Sequence, residues 1–294
     1  MRREQQAHGL PHYDGGIMTG TYEAGGARLA YSVSGAGTPV VFLHPTPIDS
    51  FYWRPMLEEL GGVRAVVPDL RGHGASELGA GLPVGGFRRV PDAPVLTMER
   101  HAHDVLALMD HLQLDKAVFA GCSIGGSVVM ELWRRAPERA LGLAIVCTKP
   151  QADAEPNLER RAATIAAARA GETESIFNGM AHSLVGKSAQ RRRPEIVTEL
   201  RSRMTLTTEA LVAVQAGLAT RPNSVPTVAT MSVPLLAIMG GEDPGITQAE
   251  MEIFNAAPGG CDFHLLADAG HFAAYEQPGK VAALMAEWLR RRVA

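Results

Sequence analysis

The strongest constraint on the fold of this chain is a repeated exchange between two hydrophobic periods. Near-continuous apolar runs fall at 40–43, 63–67, 117–120, 143–146 and 235–238, each too short for a helix and apolar enough to be buried on both faces. An alternating run at 29–33 precedes them, and a further strand-like run follows at 263–266. Between them, residues recur at helical spacing. Val105, Met109 and Leu112 share one face of 97–112, a helix is expected over 124–135, and Val281, Leu284, Met285 and Leu289 line one face of a closing helix over 278–292. Strands that alternate with helices predict an α/β fold with a mostly parallel central sheet, because parallel neighbours need a helical crossover.

The stretch 149–230 breaks this rhythm. It offers helical segments at 158–170, 192–204 and 207–219 but no convincing strand, and it is expected to form a helical cap inserted into an α/β core of 17–148 and 231–294. The run Arg191-Arg192-Arg193 within it is expected to be a solvated helix start ahead of Pro194 rather than a polyanion site. Residues 79–94, rich in Gly and Pro, form a loop. Residues 1–16 lack the apolar segment of an export signal and are expected to be a flexible tail.

Composition narrows the class of function. With 28 basic and 31 acidic residues the net charge is -3, which gives no sign of nucleic-acid binding. No apolar run approaches the ~18 residues of a membrane span. The three cysteines are odd in number, and Cys122 and Cys147 sit in or beside apolar runs, so a disulfide framework is not expected and a reducing, cytoplasmic setting is.

Gly121-Cys122-Ser123-Ile124-Gly125-Gly126 lies between a buried strand and a helix. Gly-x-Ser-x-Gly in that context makes a tight turn whose central residue is strained. It raises the serine Oγ and aims a helix N-terminus at whatever reacts there. A serine needs a base, and the base an orienting carboxylate. Asp243 follows the run 235–238, and His271 follows the run 263–266. Both fall beyond strand C-termini, where parallel sheets carry their functional loops.

With these residues in place, the chain resembles the α/β-hydrolase superfamily from about residue 18 onward. The likeness includes Leu43-His44-Pro45-Thr46-Pro47, the segment from Pro68 through Asp69, Arg71, Gly72, His73 and Gly74 to Ser76, and the turn at Ser123. It also includes Ala136-Pro137-Glu138-Arg139 and the loops of Asp243 and His271. Within the superfamily, the segment from Asp104 to Leu112 is most similar to cap-bearing esterases and lactonases, 3-oxoadipate enol-lactonases among them. The resemblance implies a sheet of roughly eight strands. It also implies Ser123 as nucleophile, His271 as general base and acid, Asp243 as orienter, and an oxyanion hole from the Ile124 amide and a second amide after the strand at 40–43. Pro45 and Pro47 have no N–H, which leaves Thr46 for that second donor. His44-Pro45 departs from the His-Gly of most relatives. Serine at the nucleophile position argues against the aspartate-dependent dehalogenases and epoxide hydrolases of the same fold.

The reading is a serine hydrolase of a carboxylic ester or lactone, acting on a small to medium, partly apolar substrate, without metal or organic cofactor. Rival readings are a carbon–carbon bond hydrolase of diketones, a cofactor-free perhydrolase or haloperoxidase, and a non-catalytic ligand-binding protein. A homodimer is left open. His44, Trp53, Phe177, Met180, Met204 and Phe272 are candidates for the pocket lining, with core packing as their alternative. Asp69, Arg71 and His73 are expected to form a structural turn. His101 and His103 are read as a solvated helix start rather than metal ligands, and Cys122 as packing.

Overall fold

A computed structural model describes residues 16–293, so the expected tail, apart from Gly16, lies outside the described residues. Eight strands form one sheet: β1 (Met18–Ala24), β2 (Ala27–Ser34), β3 (Thr38–Leu43), β4 (Val63–Pro68), β5 (Ala117–Cys122), β6 (Ala140–Val146), β7 (Leu235–Gly240) and β8 (Cys261–Leu266). Their spatial order is β1-β2-β4-β3-β5-β6-β7-β8. The first two strands pair antiparallel, as do β2 and β4, while every neighbour from β4 to β8 is parallel. The apolar runs become the centre of the sheet: β5 and β7 are buried at every position, as strands covered on both faces must be. Strand β1 carries no apolar run. Its exposed and covered positions largely alternate, as an edge strand allows, which is why hydrophobicity alone does not reveal it.

The crossovers supply α1 (Arg54–Glu59), α2 (Met98–His111) and α3 (Ile124–Arg135), while α10 (Gln248–Glu252) lies between β7 and β8 and α12 (Pro278–Trp288) follows β8. Helices α1 and α12 pack together, as do α2 and α3, and helices flank the sheet. Helix α2 starts at Thr97, whose hydroxyl accepts the Arg100 N–H, and its inward face carries His101, Asp104, Val105 and Leu108 at i, i+3, i+4 and i+7. The sequence expectation of a solvated start fails at His101. Its side chain is fully buried, and Asp104 forms a two-pronged buried pair with Arg71, at 2.7 Å on both oxygens. Only His103 of that segment faces solvent.

Between β6 and β7 lie only helices: α4 (Glu155–Arg169), α5 (Thr173–Leu184), α6 (Lys187–Arg192), α7 (Ile196–Ser202), α8 (Thr208–Ala219) and α9 (Val225–Val228). Helix α4 packs on α8, and buried Asp153 ties Arg161 and Arg221 together beneath them. Two sequence expectations change here. Helix α5 is unforeseen, because Gly179 and polar Asn178, His182 and Ser183 dilute its apolar face. The expected helix over 192–204 begins only at Ile196, because Pro194 lacks the N–H a continuous helix would use, and a separate helix, α6, ends at Arg192 before it. The three arginines therefore end a helix rather than start one. Arg191 donates to Ser188 Oγ, Arg192 pairs with Asp268, and Arg193 pairs with Glu199 while stacking on Tyr275. Among the described residues, no helix is long and apolar enough to cross a membrane.

Candidate active site

Ser123 closes β5 and caps α3 with φ 55° and ψ -116°, a strained conformation that few side chains adopt. The surrounding glycines are required by contact. A Cβ on Gly125 would collide with the Leu43 carbonyl, and one on Gly121 with the Gly125 backbone. The Ser123 N–H donates to Val146 O at 3.1 Å, and Thr148 Oγ1 donates to Ser123 O at 3.1 Å, so β6 holds the turn from the side. Ser123 keeps part of its surface open to solvent, while Ile124 is buried at the start of α3.

The loops after β7 and β8 bring Asp243 and His271 together. His271 Nδ1 donates to Asp243 Oδ2 at 2.7 Å, and the other carboxylate oxygen accepts the N–H groups of Gly245 (2.8 Å) and Ile246 (3.1 Å). Burial by itself pushes the Asp243 carboxyl up. His271 and the two amides outweigh it and hold the carboxyl below its ordinary range. Burial likewise works to lower His271, but Asp243 first and Glu276 after it raise the imidazole above its ordinary value. With Nδ1 committed to Asp243, Nε2 is the nitrogen left to act as base. In this structure His271 is bonded to Asp243 and not to Ser123. The link to the serine turn is the neighbouring residue, since Cys122 Sγ donates to His271 O at 3.6 Å. Burial pushes the Cys122 thiol far above its usual range, so Cys122 packs rather than reacts, as its sequence position suggested.

The loop after β3 holds Thr46, partly exposed, with a cis peptide to Pro47. Two buried imidazoles support it. His44 Nδ1 donates to Pro45 O, and His44 Nε2 accepts the Leu70 N–H, both at 2.9 Å. His73 Nδ1 donates to Arg71 O, which leaves Nε2 to accept the Thr46 hydroxyl at 3.0 Å. Burial pushes His73 down to about 3, so it is neutral and can accept. The Asp69–Ser76 segment is the structural turn expected of it. Asp69 accepts the N–H groups of Ser50 and Ala75, and Ser76 bridges Ala30 N to Asp69 O. His73 nevertheless reaches Thr46 in the loop after β3, which sequence spacing could not reveal across 27 residues.

Of the other pocket candidates, His44, Trp53, Phe177, Met204 and Phe272 are core side chains with almost no accessible surface, and only Met180 is partly exposed. Trp53 packs on Phe42 and Tyr52, and Phe272 on Tyr52 and His271. A groove of about 810 Å³ is lined by Asp49, Phe51, Asp69 and Arg203, but by none of Ser123, Asp243 and His271. Among the described residues, no group of three or more His, Cys, Asp or Glu is placed to hold a metal.

Sequence spacing also missed Glu276, Glu242 and Cys147. Glu276 accepts backbone N–H groups on both sides of His271, Glu242 binds Ser188, and Cys147 Sγ donates to Gly270 O at 3.7 Å.

Known proteins share this fold. A thermophilic esterase from Thermogutta terrifontis superposes with a TM-score of 0.83 at 31% identity, covering 93% of this chain and 97% of that one. An enzyme described as degrading N-acyl homoserine lactones superposes at 0.75 with 25% identity, covering 91% and 99%. The enol-lactonase of Burkholderia xenovorans LB400 shares the fold at 0.80 with 23% identity, covering 92% and 100%. By sequence alone, the chain spans 40% of the length of the first curated relative it matches. The model of the alpha/beta hydrolase family matches residues 40–284, five-sixths of the chain, and this protein belongs to that family.

Proposed function

We propose that this protein is a serine hydrolase that cleaves a carboxylic ester or lactone through an acyl-enzyme. The observation that carries the reading is the 2.7 Å bond from His271 Nδ1 to a buried, ionised Asp243, on loops neighbouring the strained turn of Ser123. In this reading His271 Nε2 takes the Ser123 proton as Oγ attacks the carbonyl carbon. The carbonyl π electrons move to oxygen, and the Ile124 and Thr46 amides hold the resulting oxyanion. The intermediate collapses, the C–O bond to the leaving group breaks, and His271 returns its proton to the departing oxygen. Water then repeats the sequence on the acyl-enzyme, again with His271 as base. Asp243 remains ionised throughout and fixes the imidazole tautomer.

The helices between β6 and β7 act as the cap that bounds the substrate. The likenesses to an esterase and to an N-acyl homoserine lactone-degrading enzyme support an oxygen ester, open or cyclic, as the bond cleaved. Aryl esters of increasing acyl length and N-acyl homoserine lactones test the reading beside Ser123→Ala. The expected result is turnover by the wild type and a loss of roughly a hundredfold or more in kcat for the variant. Equal rates in the two proteins would remove Ser123 from the mechanism. Turnover of diketones or peroxide-dependent oxidation, without ester cleavage, would replace this reading with a different one on the same residues.

A further inference from the structure

Glu276 sits on the single turn α11 (Ala273–Glu276) that follows His271, with its carboxylate buried. Its Oε2 accepts the N–H of Gly270 at 2.7 Å and of Gly186 at 3.1 Å, and its Oε1 accepts the N–H of Phe272 at 3.1 Å. Gly270 and Phe272 are the residues on either side of His271, so one carboxylate holds the backbone of the candidate base from both directions. Gly186 belongs to the turn between α5 and α6. That turn also takes the His271 N–H on Leu184 O at 2.9 Å and sends Ser188 N–H and Oγ to Glu242, the residue before Asp243, at 2.8 and 2.6 Å. The two backbones meet so closely that a Cβ on Gly186 or Gly270 would overlap the other strand of chain.

We infer that Glu276 is a positioning residue for His271: its carboxylate fixes the loop of the base against the 184–188 turn and places a negative charge beside the imidazole. The inference rests on His271 being the base of the proposed reaction. The charged and titratable groups around it are few. His271 faces it from the β8 loop, Glu242 approaches through Gly186, and Arg193 covers the neighbouring Tyr275 ring. Cys122 and Cys147 approach from β5 and β6 as neutral thiols whose titration burial drives far up. Burial raises the Glu276 carboxyl, and the three amides work against that rise by favouring the ionised form. A carboxylate close to an imidazole favours its protonated state, so Glu276 and Asp243 act in the same direction on His271.

The test compares the wild-type protein with Glu276→Gln and Glu276→Asp. His271 is titrated by nitrogen-15 NMR, and kcat and KM for an aryl ester are followed across pH. In Glu276→Gln the charge is lost and an amide NH₂ replaces one acceptor. The His271 midpoint should fall by about half a unit or more, with the acid limb of kcat/KM moving to lower pH by the same amount. The kcat at the plateau should drop about tenfold with KM within about twofold. Glu276→Asp keeps the charge but is one methylene too short for all three amides, so its midpoint should stay near wild type while kcat falls. A merely structural side chain would reduce the active fraction and leave the midpoint alone. An unmoved midpoint in a folded Glu276→Gln variant overturns the inference. If that variant does not fold, a wild-type kcat in Glu276→Asp overturns it instead, and a lowered kcat at unchanged KM upholds it. If the wild type cleaves no ester while the midpoint still falls in Glu276→Gln, the positioning role stands and the ester reading fails. If Ser123→Ala abolishes ester cleavage while both Glu276 variants match the wild type, the ester reading stands and the positioning role fails.

Discussion

Single residues around the site differ in how they could be read from sequence. Ser123, Asp243 and His271 are announced by short motifs beyond strand ends, because glycine spacing at the turn and a place just after an apolar run leave a local signature. His73 and Glu276 leave none: the His73 imidazole reaches Thr46, 27 residues away, and the Glu276 carboxylate joins its near neighbours Gly270 and Phe272 to Gly186, 90 residues away. The Thr46 hydroxyl gives a direct test of this hidden layer. His73 Nε2 accepts it as a neutral imidazole, so Thr46→Val keeps the backbone amide but leaves a buried acceptor unpaired. The variant should lose about 1–3 kcal/mol of stability in urea denaturation. Its kcat should fall several-fold at unchanged KM, because the loop carrying the amide is no longer held. A variant with wild-type stability and kcat would show that the His73 contact holds nothing.

At the scale of elements, hydrophobic period located the central strands and the main crossover helices, since these bury apolar residues on both faces or along one clear stripe. It failed where tertiary contacts replace hydrophobicity. Strand β1 is paired to β2 along its length but half exposed, and α5 buries only Phe177 and Ala181. Helix α2 is the instructive mixture. Its apolar stripe predicted the helix, yet the same face carries Asp104, which only the fold explains by bringing Arg71 from the turn after β4. Arg71 also donates to Ala24 O at 2.6 Å and to Leu78 O at 3.2 Å, so one buried guanidinium joins β1, the 69–79 segment and α2. Asp104→Ala leaves that charge buried with only carbonyl partners and should cost about 3–5 kcal/mol of unfolding free energy. Asp104→Asn, which keeps one acceptor oxygen, should cost less. Equal losses in the two variants would mean that the helix is held by its apolar face and the pair contributes little.

For the whole molecule, the burial of imidazoles sets how folding responds to acid. His44, His73 and His101 are all buried, and desolvation lowers the affinity of each for a proton, to about 3 for His73. His101 has no hydrogen-bond partner on either nitrogen among the described residues. In the unfolded chain all three take up protons near the ordinary value of 6.5. Their folded values lie below their unfolded ones, so the stability they permit is complete above pH 6.5 and is lost as pH falls toward the folded values. Each should contribute a slope approaching about 1.4 kcal/mol per pH unit over that window. His271 has the opposite sign: its contribution is complete below 6.5 and is lost as pH rises through its raised folded value, so it adds no slope on the acid side. Asp49, Asp104 and Glu276, raised by burial, bind protons more readily when folded and oppose the histidines near the lower end. Urea midpoints should therefore fall between pH 6.5 and 5, and His101→Phe should remove about a third of that fall while leaving stability at pH 7.5 equal or higher. His101 is the residue to change because its side chain makes no hydrogen bond that the substitution would forfeit. An unchanged slope in this variant would mean that His101 is protonated in the folded protein, with a partner that the buried face of α2 does not provide.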